Sequence, residues 1–177
     1  MKRMPLIPAT LLAACLATVS AVAQGPRTIR VCATLMENSA AGMSSAAARD
    51  RLVKDLGHQK DKKMQLSMEG VAVDATAGEQ IMAEAKQKNC EFLVEPKLTE
   101  AHEQGGVSGR AGNASNVPEY SATIEYKLFR VADGATAGSG AAKATDVGSQ
   151  AEIVGQALDH LAGKVFAEVK KAGTPAP

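Results

Sequence analysis

The stretch Tyr120-Ser-Ala-Thr-Ile-Glu-Tyr-Lys-Leu-Phe-Arg-Val131 sets Tyr120, Ala122, Ile124, Tyr126 and Leu128 against Ser121, Thr123, Glu125 and Lys127. A period of two sustained over this length is that of a β-strand with one face in a core and the other in water. Asp133-Gly134 follows as a hairpin turn signal, and residues 135–147 return as a second, weaker strand of small residues. Such a pair has an apolar face that must be covered. Ser149-Gln-Ala-Glu152 supplies the cover by opening a helix with a capping box, and Val154, Leu158, Leu161, Val165 and Val169 fall on one stripe of that helix.

Upstream the pattern alternates between strand and helix. Thr28 to Met36 places Ile29, Val31, Ala33 and Leu35 against Arg30, Cys32 and Thr34, the pattern of a half-buried strand. Ser44 or Ser45 can cap a helix carrying Leu52, Val53 and Leu56 on one face, ended by Gly57 and the charged turn His58-Gln-Lys-Asp-Lys-Lys63. Met64 to Val73 reads as a strand interrupted at Gly70. Thr76-Ala-Gly-Glu79 is a further capping box, opening a helix with Ile81, Met82 and Ala85 inward and a stop at Asn89, a residue that tolerates the left-handed conformation. Glu91 to Thr99 is the third strand, and Pro96, with no amide hydrogen, must lie at an edge, a bulge or a strand switch. Residues 101–119 are rich in Gly, Ser, Asn and Gln and read as a flexible surface loop. The predicted order is β-α-β-α-β-β-β-α: an α/β domain over 24–172, with about five strands in a mixed sheet, three helices, and a disordered tail at 173–177.

The amino terminus reads as an export signal. Lys2 and Arg3 precede an apolar core from Leu6 to Val19, and Ala21-Val22-Ala23 offers small residues for cleavage between Ala23 and Gln24. An alternative stays open, because Leu12-Ala13-Ala14-Cys15 has the residue types of a lipoprotein box in which Cys15 is lipidated. The first outcome gives a periplasmic or secreted protein, the second an outer-membrane tether. The chain holds 20 basic and 19 acidic residues, and the leader takes two of the basic ones, leaving a mature chain of formal charge −1 with no membrane span. That balance gives no electrostatic footprint for nucleic acid.

After cleavage two thiols remain, Cys32 and Cys90. In an oxidising compartment they can form a disulfide closing a loop of nearly 60 residues. Equally, both sit beside apolar runs, as two small buried side chains would.

The segments Asn-Cys-Glu-Phe-Leu-Val-Glu-Pro-Lys-Leu-Thr-Glu at 89–100, Ile-Glu-Tyr-Lys-Leu-Phe-Arg-Val-Ala-Asp-Gly at 124–134 and the terminal Ala-Leu-Asp-His-Leu-Ala-Gly-Lys-Val helix resemble the periplasmic α/β domain of curli-channel subunits and the amino-terminal domain of TolB. The resemblance spans about 140 residues in order of elements. It implies an envelope protein that binds other proteins and has no active site. Channel formation is not expected, because Val107 and Val117 are the only larger apolar residues in 101–119, too few for membrane-inserting hairpins.

Chemistry-bearing motifs are scarce. The chain has no His-Glu-x-x-His, Gly-x-Ser-x-Gly, phosphate-loop or Cys-x-x-Cys motif, and His58, His102 and His160 stand singly. Gly105 to Arg110 is followed by no helix start and reads as loop rather than as an anion site. No catalytic residue, metal site or cofactor is expected. The function expected is a non-enzymatic cell-envelope interaction domain whose protein partner meets the loop residues His102, Arg110, Asn113 and Tyr120, or an exposed strand edge. A small-molecule or carbohydrate binder using that loop as a lid is the alternative, and an exported hydrolase the second alternative.

Overall fold

The computed structural model describes residues 26–104 and 118–173. The elements are β1 (Arg27–Ala33), α1 (Ser45–Gly57), β2 (Lys60–Asp61), β3 (Leu66–Ala72), α2 (Gly78–Gln87), β4 (Phe92–Gln104), β5 (Glu119–Arg130), β6 (Thr136–Val147) and α3 (Gln150–Gly173). They form an α/β fold in which three helices pack on a mixed six-stranded sheet of order β2-β3-β1-β4-β5-β6. β1 lies parallel to both β3 and β4, and the remaining pairs are antiparallel.

The crossover from β1 to β3 through α1 and that from β3 to β4 through α2 pass on opposite faces of the sheet. α1 and α3 cover one face and close the main core, where Ile29, Val31, Leu52, Val94, Ile124 and Leu128 meet Ile153, Leu158, Leu161 and Val165. α2 covers part of the other face over a smaller core of Cys32, Val73, Ala85, Cys90, Leu93 and Val131. β1 is therefore buried on both faces rather than half-buried as its alternation predicted: Cys32 is as inaccessible as Val31, because a central parallel strand has a helix on each side.

Several local signals act as read. Ser44 accepts from the Ala47 amide at 3.2 Å and caps α1. In the second capping box the Ser149 amide donates to Glu152 Oε2 at 2.7 Å, while the Glu152 amide donates to Ser149 Oγ at 3.3 Å. Asn89 has φ 54° and ends α2, and Gly134 has φ 71° in the β5–β6 turn. Pro96 lies inside β4 where β1 has run out, so the ladder hydrogen bond it cannot give would have had no β1 partner; its carbonyl instead accepts from the Glu37 amide at 2.9 Å.

Other expectations are corrected. The turn at 58–63 contains β2, which brings the strand count to six, because Lys60 and Asp61 pair with Ser67 and Leu66. β3 is not broken at Gly70; a Cβ there would sit 2.2 Å from the Val53 carbonyl oxygen, so the glycine lets α1 lie directly on the strand. Ala101–Gln104 and Glu119 are strand, not loop, because the β4–β5 ladder resumes beyond an irregularity between Leu98 and Glu100. The capping box at Thr76 does not form. α2 starts at Gly78 after Ala77, and the preceding chain is held instead by Glu84, whose carboxylate accepts from the Ala75 amide at 2.8 Å and the Asp74 amide at 3.2 Å.

Lys88 Nζ lies 2.6 Å from the same Glu84 carboxylate, and with the two amides it lowers the pKa from 4.5 to about 2. A carboxyl with a depressed folded pKa stabilises above its unfolded pKa and loses that contribution as pH falls through the folded value. Glu84→Gln is accordingly expected to cost about 1–2 kcal/mol at neutral pH. In paired denaturant titrations the gap between variant and parent should close as pH falls from about 4.5 to about 2. A gap unchanged over that range would show that the carboxylate's charge contributes nothing.

Candidate functional site

β4, β5 and β6 are each 12 or 13 residues long, and α2 covers only the start of the face that α3 leaves open. Beyond α2 the period of two sends Glu95 and Lys97, then Glu125 and Lys127, then Ser139, Ala141 and Lys143 outward on that face. Register pairs Glu95 with Lys127 and Lys97 with Glu125, so opposite charges face each other across the strands. Lys97 Nζ also donates to Glu37 Oε1 at 2.7 Å from the segment that follows β1.

A cleft of about 990 Å³ opens at this place, bounded by residues 34–37 after β1, Ala75 and Thr76 after β3, Ile81 of α2, and Glu95 to Lys97. It lies at the carboxyl ends of β1 and β3, where the connections from neighbouring parallel strands part to opposite faces, the position at which open α/β sheets form ligand crevices. Glu95 is half-buried in its wall. Burial raises the pKa of its carboxyl, Lys127 opposes that shift, and Glu37 adds to it. The cleft therefore offers carboxylates and ammonium groups side by side, some already paired with one another.

Of the residues predicted for an interaction site, His102 and Tyr120 are described, and they do not share a face of the sheet. His102 is exposed and lies in register with Ser121. Tyr120 packs against the main core and its hydroxyl donates to Glu103 at 3.4 Å. Strand alternation puts His102 and Tyr120 on opposite faces. Arg110, Asn113, Cys15, Ala23 and Gln24 lie outside the described residues, as do the Gly105–Arg110 segment and residues 174–177.

Cys32 and Cys90 are joined by a disulfide with Cα atoms 5.7 Å apart. It ties the central strand to the residue between α2 and β4.

The outer edge of β6 is partly closed. Lys164 Nζ donates to the Ala141 carbonyl at 2.6 Å, and His160 Nδ1 lies 2.9 Å from the Lys143 carbonyl, so α3 occupies acceptors that an added strand would need. The opposite edge, β2, has two residues. Glu37, Glu95, Lys97 and Lys127 were missed as a group by sequence reasoning. The alternation in β4 and β5 puts each on the wet face, but the approach of Glu37 depends on how the chain turns after β1.

Among the described residues no group of three His, Cys, Asp or Glu side chains is placed to hold a metal ion. No helix among them is long and apolar enough to cross a membrane.

The fold and its open face define a doubly wound α/β start extended by an antiparallel β4-β5-β6 sheet. No family model matches the sequence, and no curated protein matches it. Solved structures do share the fold. The hypothetical protein CT253 from Chlamydia trachomatis is 15% identical over 81% of this chain and 96% of its own, with a TM-score of 0.50. Protein XCC0632 from Xanthomonas campestris is 8% identical over 85% of this chain and 91% of its own, also at 0.50. TolB from Acinetobacter baumannii is 9% identical over 83% of this chain but 30% of its own, at 0.45. At such identities the likeness to the first two is one of fold.

Proposed function

We propose that the chain is an exported, non-enzymatic cell-envelope domain, of the kind that curli-channel subunits and the amino-terminal part of TolB resemble, and that it engages a protein partner on the open face of β4-β5-β6. The observation that carries this reading is the exposed run of Lys97, Glu125, Lys127, Ala141 and Lys143 beside half-buried Glu95, on strands backed by α3. A rigid sheet face of alternating charge suits polar, register-specific recognition, and opposite charges at fixed spacing discriminate against mismatched partners. With the β6 carbonyls partly occupied, the face is favoured over the edge. The leader supports the envelope setting.

A second reading rests on the cleft at the end of β1, whose volume falls in the range of small-ligand sites. One experiment separates the two. A photoactivatable residue placed at Lys143, which does not line the cleft, should give a discrete protein adduct in living cells, while the same residue at exposed Gln156 on α3 should not. Absence of any adduct at the sheet face, with a small molecule retained on the purified protein in native mass spectrometry, would transfer the assignment to the cleft.

A further inference from the structure

The chain is close to neutral overall, yet its topology sorts the charge. β1, β3 and β4 start at one end of the sheet, where β5 and all three helices finish; this is the basal pole. Residues 26–28, 58–65, 86–92, 130–136 and 168–173 meet there and carry nine Lys and Arg against four Asp and Glu. At the distal pole, residues 99–104, 118–123 and 143–152 carry five Glu and Asp against Lys143 alone.

Helix dipoles account for part of the basal charge. Lys86, Lys170 and Lys171 lie in last turns, where cations offset carbonyl ends. They do not account for Lys60, Lys62 and Lys63, which belong to no helix, are exposed and make no ion pair among the described residues. Asp61, between them, is occupied: Lys170 Nζ donates to it at 2.5 Å, and its other oxygen accepts from the Lys63 and Met64 amides, fixing the turn. The next residue, Met64, is 50% exposed, one of the two large apolar side chains so exposed among the described residues. Phe166, Lys170 and Lys171 border the shallow groove beside it. Arg27, Lys86 and Arg130 flank a neighbouring groove at the same pole. The leader-bearing segment also joins the domain here, through Pro26.

We infer that the basal pole is a docking surface for an anionic phospholipid bilayer, with Lys60, Lys62 and Lys63 meeting headgroup phosphates and Met64 entering the headgroup layer. Charge complementarity selects this occupant. Several unpaired ammonium groups around one exposed apolar side chain match a surface that is negative outside and apolar just beneath. The distal pole, with the opposite charge, then faces away from the membrane, and the β4-β5-β6 strands run between the two.

The test uses the chain from Gln24 onward, which lacks Cys15, so that no acyl chain contributes. It is sedimented with vesicles of phosphatidylcholine alone or with about one third phosphatidylglycerol. The protein should bind the anionic vesicles only and be released by salt. A Lys60→Gln/Lys62→Gln/Lys63→Gln variant should bind about a hundredfold more weakly, with an unchanged circular dichroism spectrum. Met64→Ser should weaken binding severalfold while leaving its salt dependence intact. Equal binding to neutral and anionic vesicles, equal binding by the triple variant, or no vesicle binding would each overturn the assignment. So would head-to-tail oligomers in sedimentation velocity that the triple variant abolishes without any vesicle binding, since the basal pole would then meet the distal pole of another copy.

Discussion

Replacing Cys32 and Cys90 together by Ala is expected to lower the stability of the oxidised domain by about 4 kcal/mol, the chain-entropy value for a loop of this size. The bond spans 58 positions of sequence and lies in the smaller of the two cores, where Val73, Ala85, Leu93 and Val131 are the other buried members. α2 is short, and Ile81 and Met82 are only partly buried against that core. The covalent tie therefore does much to hold the α2 side of the sheet. Denaturant unfolding with and without reductant checks this: reductant should destabilise the parent by a similar amount and leave the double variant unmoved. A parent insensitive to reduction would show that packing alone holds α2.

Gly70→Ala is expected to cost about 3 kcal/mol or more, a large effect for adding one methyl group. The new Cβ would fall 2.2 Å from the oxygen and 2.8 Å from the carbonyl carbon of Val53, both backbone atoms of α1. No rotamer change relieves a clash with backbone, so α1 must lift from β3. Ala48, Leu52 and Leu56, all buried, would lose packing with it. Gly57→Ala is the control, because nothing lies within 4 Å of a Cβ at that position, and it should change stability by no more than about half a kcal/mol. Equal midpoints for Gly70→Ala and Gly57→Ala would contradict the close α1–β3 approach.

Both positions show how far the chain could be read without coordinates. Gly70 stood out as an interruption in an apolar strand, but its cause, a helix backbone passing over the strand, is a contact between elements. The small residues of β6 are similar. Gly138 leaves room for the Glu168 side chain of α3 and Gly140 for the ring of Tyr126, so a strand that looks weak by composition is shaped by its neighbours. Thr76 and Glu79 had the form of a cap and were overridden by Glu84, farther along the same helix. Residues 101–104 read as loop because their side chains are polar, whereas the ladder needs only backbone groups.

The candidate site was legible in fragments. Alternation gives the wet face of β4 and β5, and the strand order brings Glu95 to Lys127 and Lys97 to Glu125. Tyr120 and His102, close in sequence terms to the same loop, are parted by the sheet itself.

By itself the sequence determined the local rules. The period of two in β5, the Ser149–Glu152 cap, the stripe of α3, the stops at Asn89 and Gly134 and the α/β order all follow from interactions within a few residues. Only the tertiary structure decided which strands are central, why β1 is buried on both faces, that Cys32 meets Cys90, and that a nearly neutral chain gathers an excess of cations at one end and a smaller excess of carboxylates at the other. The reason is physical: periodicity and capping are short-range and leave a trace in adjacent residues. Burial, register and the direction of a charge distribution depend on which elements run parallel, and that is settled by packing between residues far apart in the chain.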